Sequence, residues 1–257
     1  MEGDTLKRSD GQIYYHTTGS GEPVVFIHGF SLDRTMWQKQ VAFFRNKYQV
    51  ITYDVRGFGK SSLPNGSYSH ADDLQALLQR LDIQKAHLVG LSMGGRIAIN
   101  FALDYPDKVI SLTLIDAALE GYAGTIDRRI HSKKRDLQKA KENWLSHQLF
   151  AHSQKKPEVA KQLYRMVEQY SGWHWFHIDS QIKNKLAAIH RLHIISHPTM
   201  ALVGEHDLTD FQSISTILAS KIPNAQKRTI LEAGHMANME KPDEVNQHIA
   251  AFLDKNQ

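Results

Sequence analysis

Gly90-Leu91-Ser92-Met93-Gly94 joins an apolar run, Ala86-His87-Leu88-Val89, to a segment whose Ile97, Ala98, Phe101 and Ala102 recur at helical spacing. A strand that reverses directly into a helix leaves the residue at the bend strained, with its side chain exposed, and small flanking residues let the chains pass. Ser92 is therefore expected to be a nucleophile. The first N–H groups of the following helix point beside it and favour a developing negative charge. A serine hydroxyl attacks only when a base takes its proton and an acid orients that base. Histidine titrates in the range that suits the base. Among 15 histidines, His235 in Ala233-Gly234-His235-Met236 follows the last expected strand, after a glycine that permits a tight turn. Asp207, in Gly204-Glu205-His206-Asp207, follows the strand ending at Val203 and is expected at the same carboxyl edge as Ser92. Asp116 is its main rival for the role of acid. Asp54 is a weaker one, because Asp54-Val55-Arg56-Gly57-Phe58-Gly59 reads as a structural turn in which Asp54 and Arg56 pair.

Acyl transfer also needs donors where a carbonyl oxygen becomes negative. The backbone N–H of Met93 is one. The second is expected from His28-Gly29-Phe30, where glycine allows close approach and the Phe30 N–H donates while its ring lines the pocket.

The elements that must position these residues follow from periodicity. Gln12–Thr17, Pro23–His28, Gln49–Tyr53, Ala86–Val89, Val109–Ile115, Thr199–Val203 and Arg228–Leu231 read as strands. Helical segments are expected near Thr35–Asn46, from Ser69 with Asp72 completing a capping box, after Ser92, and from Pro242 to about Leu253. Strands alternating with helices imply a mostly parallel sheet covered on both faces, an α/β fold. Residues 117–190 break the rhythm: they hold no convincing strand, and charged helical stretches carry Trp144, Leu145, Phe150, Tyr170, Trp173, Trp175 and Phe176. The expected organisation is a core of 1–116 and 191–257 with a helical cap at 117–190. Trp144, Trp173 and Trp175 are expected at the pocket, with Trp173-His174-Trp175 at its rim.

At 257 residues the chain can bury a full core. With no cysteine it has no disulfide, thiolate metal site or cysteine nucleophile, which fits a cytoplasmic location. No apolar leader or membrane-length run is visible. The net charge of +4 is uneven: residues 117–190 carry 13 Lys/Arg against 7 Asp/Glu, or +6, leaving −2 elsewhere. That reads as a solvated helical surface rather than a nucleic-acid site. The pairs His174/His177 and His190/His193 lack a third ligand and read as surface histidines, so no metal and no cofactor are expected.

Taken together, His28-Gly29-Phe30, Asp54–Ser61, Gly90–Gly95, Gly204–Asp207 and Gly234-His235 resemble the α/β-hydrolase fold superfamily along essentially the whole chain, closest in appearance to carboxylesterases and 3-oxoadipate enol-lactonase-like serine hydrolases. The chain differs from dehalogenases and epoxide hydrolases, which carry aspartate at the Ser92 position, and lacks the lipase loop of consecutive glycines. The resemblance implies an α/β-hydrolase fold with a helical cap, and two-step hydrolysis of a small ester or lactone by Ser92, His235 and Asp207 in a monomer or homodimer. C–C bond hydrolysis of diketone ring-cleavage products, perhydrolase-type chemistry, or a ligand receptor with little turnover would use the same scaffold.

Overall fold

The computed structural model describes residues 3–124, 136–182 and 184–256. Eight strands form one sheet in the order β1-β2-β4-β3-β5-β6-β7-β8. An antiparallel hairpin, β1 (Asp4–Arg8) and β2 (Gly11–Thr18), sits at one edge. From β4 onward every neighbour is parallel: β3 (Pro23–Ile27), β4 (Gln49–Tyr53), β5 (Ala86–Leu91), β6 (Val109–Ile115), β7 (Thr199–Gly204) and β8 (Ala225–Ile230). The sequence reading missed β1, whose polar residues carry no alternation; it lies on an edge where only one face needs apolar cover. The central strands β3, β5 and β7 are almost wholly buried, as runs such as Val24-Val25-Phe26-Ile27 require of strands covered on both faces.

The covering helices are α1 (Gln38–Phe44), α2 (His70–Arg80), α3 (Met93–Asp104), α7 (Thr209–Lys221) and α9 (Pro242–Leu253). Ser69 caps α2 by accepting the Asp72 N–H at 3.2 Å, one half of the expected capping box, while the Asp72 carboxylate accepts the Tyr105 hydroxyl; Leu74, Leu77 and Leu78 form the buried face of the helix. The helix expected near Thr35 begins as a 3₁₀ turn, Arg34–Trp37, before α1. Between β6 and β7 the described residues carry helices α4 (Leu137–Leu145), α5 (Pro157–Gln169) and α6 (Trp173–Phe176) and no strand of the sheet. Residues 125–135 and 183 of the expected cap lie outside the described residues. Short helix α8 (Ala237–Glu240) follows β8 and leads into α9. No helix among the described residues is long and apolar enough to cross a membrane.

Candidate active site

The carboxyl edge of the sheet gathers the expected residues. Ser92 stands between β5 and α3 with φ 53° and ψ −113°, a conformation that only a surrounding structure can hold for a residue with a side chain. Its carbonyl accepts from Arg96 and Ala118, and its N–H donates to Ile115, so the bend is tied to both the helix and β6. The flanking glycines permit it: a methyl at Gly90 would meet the Gly94 carbonyl, and one at Gly94 the Ile27 carbonyl of β3.

The loop after β3 is locked by His28. Its Nε2 accepts the Val55 N–H at 2.9 Å, its Nδ1 donates to the Gly29 carbonyl at 2.8 Å, and burial pushes the ring's pKa down, so it stays neutral. Phe30 and Met93 both line the cavity that Ser92 lines. Among the described residues the Phe30 N–H has no acceptor, and the Met93 N–H opens α3, where an intrahelical acceptor cannot exist. Ser31, at φ 62°, accepts the Trp144 indole N–H at 2.6 Å, which fastens the segment between β6 and β7 to this loop.

His235 is buried, and its Nδ1 meets the Asp207 carboxylate at 2.9 and 3.1 Å. Asp207 Oδ1 also accepts the Leu208 N–H at 2.7 Å. The imidazole lies against the Phe211 ring, with centroids 4.1 Å apart. Ser92 and His235 line the same cavity, of about 240 Å³.

Asp116, at the end of β6, does not face the imidazole as the acid partner. It is fully buried at φ 45°; its Oδ1 accepts the Gly204 N–H at 2.8 Å and its Oδ2 the Ala237 N–H at 3.3 Å. It thereby joins the strand end that leads to Asp207 to the helix that follows His235. It also lies within hydrogen-bond reach of Asp207. Two buried carboxyls in contact cannot both ionise. Burial, then the Asp207 charge, raises Asp116 well above the usual carboxylate range, and burial raises Asp207 as well.

Glu240 is a further buried carboxylate, with no signal in the sequence beyond its closeness to His235. It accepts the Gly234 N–H at 2.6 Å and the His152 Nδ1–H at 2.8 Å, and Ser153 Oγ donates to it as well. It binds the turn before His235 to the segment between α4 and α5. Asp54 and Arg56 do not pair. Arg56 is buried in a fork to Asp73 at 2.6 and 2.8 Å, whereas Asp54 accepts the Arg34 and Lys60 N–H groups. Two residues of one tight turn point apart, and Arg56 reaches α2 instead.

Phe30 packs against Phe58, Trp144, Tyr170, His174 and Trp175, at 5.5 to 6.4 Å between centroids. Trp144 and Trp175 line the cavity; Trp173 does not, because its ring turns away to stack on His177 at 5.2 Å. His174 is not the expected surface histidine. It stacks on Phe58 at 4.6 Å, shares a hydrogen bond with the Tyr170 hydroxyl, and is pushed down to about 4 by burial. Among the described residues no group of three His, Cys, Asp or Glu side chains could hold a metal ion.

A family model described as the alpha/beta hydrolase fold matches residues 22–242. The chain is similar to 3-oxoadipate enol-lactonase 2 of Acinetobacter baylyi, with 28% identity over 97% of this chain and 96% of the relative. It is similar to a 2-hydroxy-6-oxononadienedioate/2-hydroxy-6-oxononatrienedioate hydrolase of Paraburkholderia phymatum, with 29% identity over 98% and 93%. Among solved structures, a thermophilic esterase from Thermogutta terrifontis matches with a TM-score of 0.78 and 28% identity, covering 99% of both chains.

Proposed function

Because the chain belongs to the α/β-hydrolase fold family, we propose that it cleaves small to medium carboxylic esters or lactones through an acyl-enzyme on Ser92. The observation that carries this reading is the buried Asp207–His235 pair on a cavity that also holds Ser92 in a strained bend. Asp207 fixes the tautomer with the proton on Nδ1, leaving Nε2 to accept the Ser92 hydroxyl proton as Oγ attacks the carbonyl carbon. The carbonyl oxygen takes the negative charge and rests on the Phe30 and Met93 N–H groups. As the tetrahedral centre collapses, the bond to the leaving oxygen breaks and His235 returns the proton to it. Water then attacks the acyl-enzyme, losing a proton to His235, and Ser92 leaves with that proton to free the carboxylic acid. Residues 117–190 act as a cap whose Trp144 and Trp175 wall the acyl pocket together with Phe30. The similarities to an enol-lactonase and an esterase support the choice of lactones and esters.

A second reading, C–C bond hydrolysis of a vinylogous diketone, is favoured by the Paraburkholderia relative and uses the same three side chains. One panel separates the two: p-nitrophenyl esters of graded length, lactones, and a diketone ring-cleavage product, each with wild type and Ser92→Ala. Ester or lactone turnover that Ser92→Ala abolishes supports the proposal. Near-normal rates in Ser92→Ala refute it, and turnover of the diketone alone selects the second reading.

A further inference from the structure

Arg96 stands one helical turn after Ser92 on α3, where the segment Met93–Leu103 is otherwise uncharged. Its backbone N–H donates to the Ser92 carbonyl at 3.1 Å, and its side chain lines the cavity that holds Ser92 and His235. Among the described residues its guanidinium has no hydrogen bond and no ion pair. Arg96 is only partly exposed, and a cation largely withdrawn from water without a partner is costly, so proteins normally answer it with a paired anion. Two further polar groups on the same cavity are unanswered. His70 is 4% exposed and its Nδ1 has no partner; Trp175 Nε1, on a ring that also lines the cavity, has none. Burial, then the Arg96 charge, holds His70 well below its ordinary value, so it is neutral. The cavity therefore carries unanswered polar groups, Arg96, His70 Nδ1 and Trp175 Nε1, alongside the aromatic rings of Phe30, Trp144 and Phe150.

Two carboxylates feel the same charge. Glu120 lines a second cavity that Arg96 also lines, and Asp179 lines the cavity that holds Ser92. Asp179 is exposed to solvent, and its Oδ1 already accepts from the Tyr68 hydroxyl at 2.8 Å and the Gln181 N–H at 3.1 Å. Solvent screens it, and neither carboxylate is within ion-pairing distance of Arg96. Their fields offset part of the cost of burying the cation but leave its N–H donors free. A planar fork of such donors matches the two oxygens of a carboxylate.

We infer that Arg96, with Trp175 Nε1 and His70, forms a carboxylate-binding subsite, so that the substrates are esters or lactones bearing a carboxylate a few bonds from the scissile carbonyl. This rests on the ester and lactone reading above and names its substrate class. The separation follows from the helix: four residues rise about 6 Å along the axis, so a short chain links the group on Arg96 to the carbonyl at Ser92. The basic surplus of residues 117–190 favours the same sign of substrate at long range.

Three activated esters of matched length test the inference: mono-(4-nitrophenyl) glutarate, its terminal carboxamide, and 4-nitrophenyl valerate. The expected wild-type order in kcat/KM is the carboxylate first. In Arg96→Leu the ratio of carboxylate to valerate falls by about tenfold or more, chiefly through KM, and Arg96→Lys restores part of it. High salt removes the contribution of the surface charge and leaves most of the Arg96-dependent part of the ratio, because a pair within the cavity is screened less than charges on the surface. A binding arm needs no turnover: calorimetric titration of glutarate into Ser92→Ala and into Ser92→Ala with Arg96→Leu, both checked for an unchanged thermal transition. Glutarate binding lost with Arg96 supports the subsite. An unmoved ratio together with unmoved glutarate binding overturns it, as does preference for the carboxamide over the carboxylate. If the wild type hydrolyses none of the three esters, the serine-hydrolase reading fails, and glutarate binding alone decides the subsite.

Discussion

Replacing Asp116 separates scaffolding from chemistry at this site. Asp116→Ala removes the acceptor from the Gly204 and Ala237 N–H groups, both buried. A buried donor left unpaired costs about 1–3 kcal/mol, so the loss of stability is about 2–6 kcal/mol. For a chain of this size each kcal/mol lowers Tm by about 2–4 °C. Asp116→Asn keeps an oxygen for Gly204 and an amide hydrogen to offer Asp207, and gives up chiefly the 3.3 Å contact to Ala237; its loss is about 1–2 kcal/mol near pH 4. The pH dependence has a definite sign. The folded-state pKa of Asp116 is raised above its ordinary 3.8 by burial and by the Asp207 charge. The stability tied to this group is complete below the unfolded value and is lost as pH rises through the folded one. Asparagine does not ionise, so the stability gap between wild type and Asp116→Asn narrows as pH rises above about 4.

Activity follows the geometry. In Asp116→Ala the acid loop and the histidine turn lose their common tie, and kcat falls by about 10–100-fold with KM little changed, as expected when reacting groups are misplaced by about an ångström. Asp116→Asn stays within about tenfold of wild type because the tie persists. Thermal unfolding across the pH range and steady-state ester hydrolysis read both effects. An alanine variant as stable and active as wild type refutes the scaffold role; an asparagine variant as damaged as alanine refutes the neutral, donating carboxyl.

Three further outcomes are expected. Asp207→Asn lowers kcat by about 10³–10⁴-fold by reversing the tautomer of His235; a loss below tenfold in stopped-flow or steady-state assays transfers the role of acid to Asp116. Glu240→Ala unpairs the Gly234 N–H and Ser153 hydroxyl, both buried, and costs about 2–4 kcal/mol in thermal unfolding; an unchanged Tm discards this anchor. Ser92→Gly loses turnover yet raises Tm, because about 1–3 kcal/mol of backbone strain at φ 53° is released against a smaller glycine entropy cost; a lower Tm argues that the bend is unstrained.

The sequence made the sheet edge readable because each chemistry-bearing residue sits one to five residues beyond a strand, apolar in β5 and β7 and mostly polar in β8. Ser92 follows β5 directly, Asp207 follows β7, and His235 follows β8. Glycine on either side of Ser92 signals a close approach of chains, and the structure supplies the Gly94 carbonyl and β3 as the neighbours. Long-range partnerships had no such signature. Arg56 finds Asp73 rather than Asp54, and Trp173 turns outward while Trp175 turns in, because two residues apart on a short helix face different ways. Arg96 had a usable signal that periodicity alone passes over, a lone cation in an apolar helical run.

The turn bearing His235 shows why the identity of the acid is hard to read from spacing. Three buried carboxyls converge on residues 234–237 from positions 116, 207 and 240: Glu240 takes the Gly234 N–H, Asp207 takes the imidazole, and Asp116 takes the Ala237 N–H. Asp207 meets the ring, and removing any of the three is expected to shift it. Loss of activity therefore cannot assign the acid by itself. The roles separate through what each group holds: changes at Asp207 alter the tautomer without unpairing buried amides of the turn, whereas changes at Asp116 and Glu240 lower stability along with rate. A variant set scored on both axes should place Asp207 alone at high stability and low kcat, and a second residue there would mean that the base is oriented by two acids rather than one.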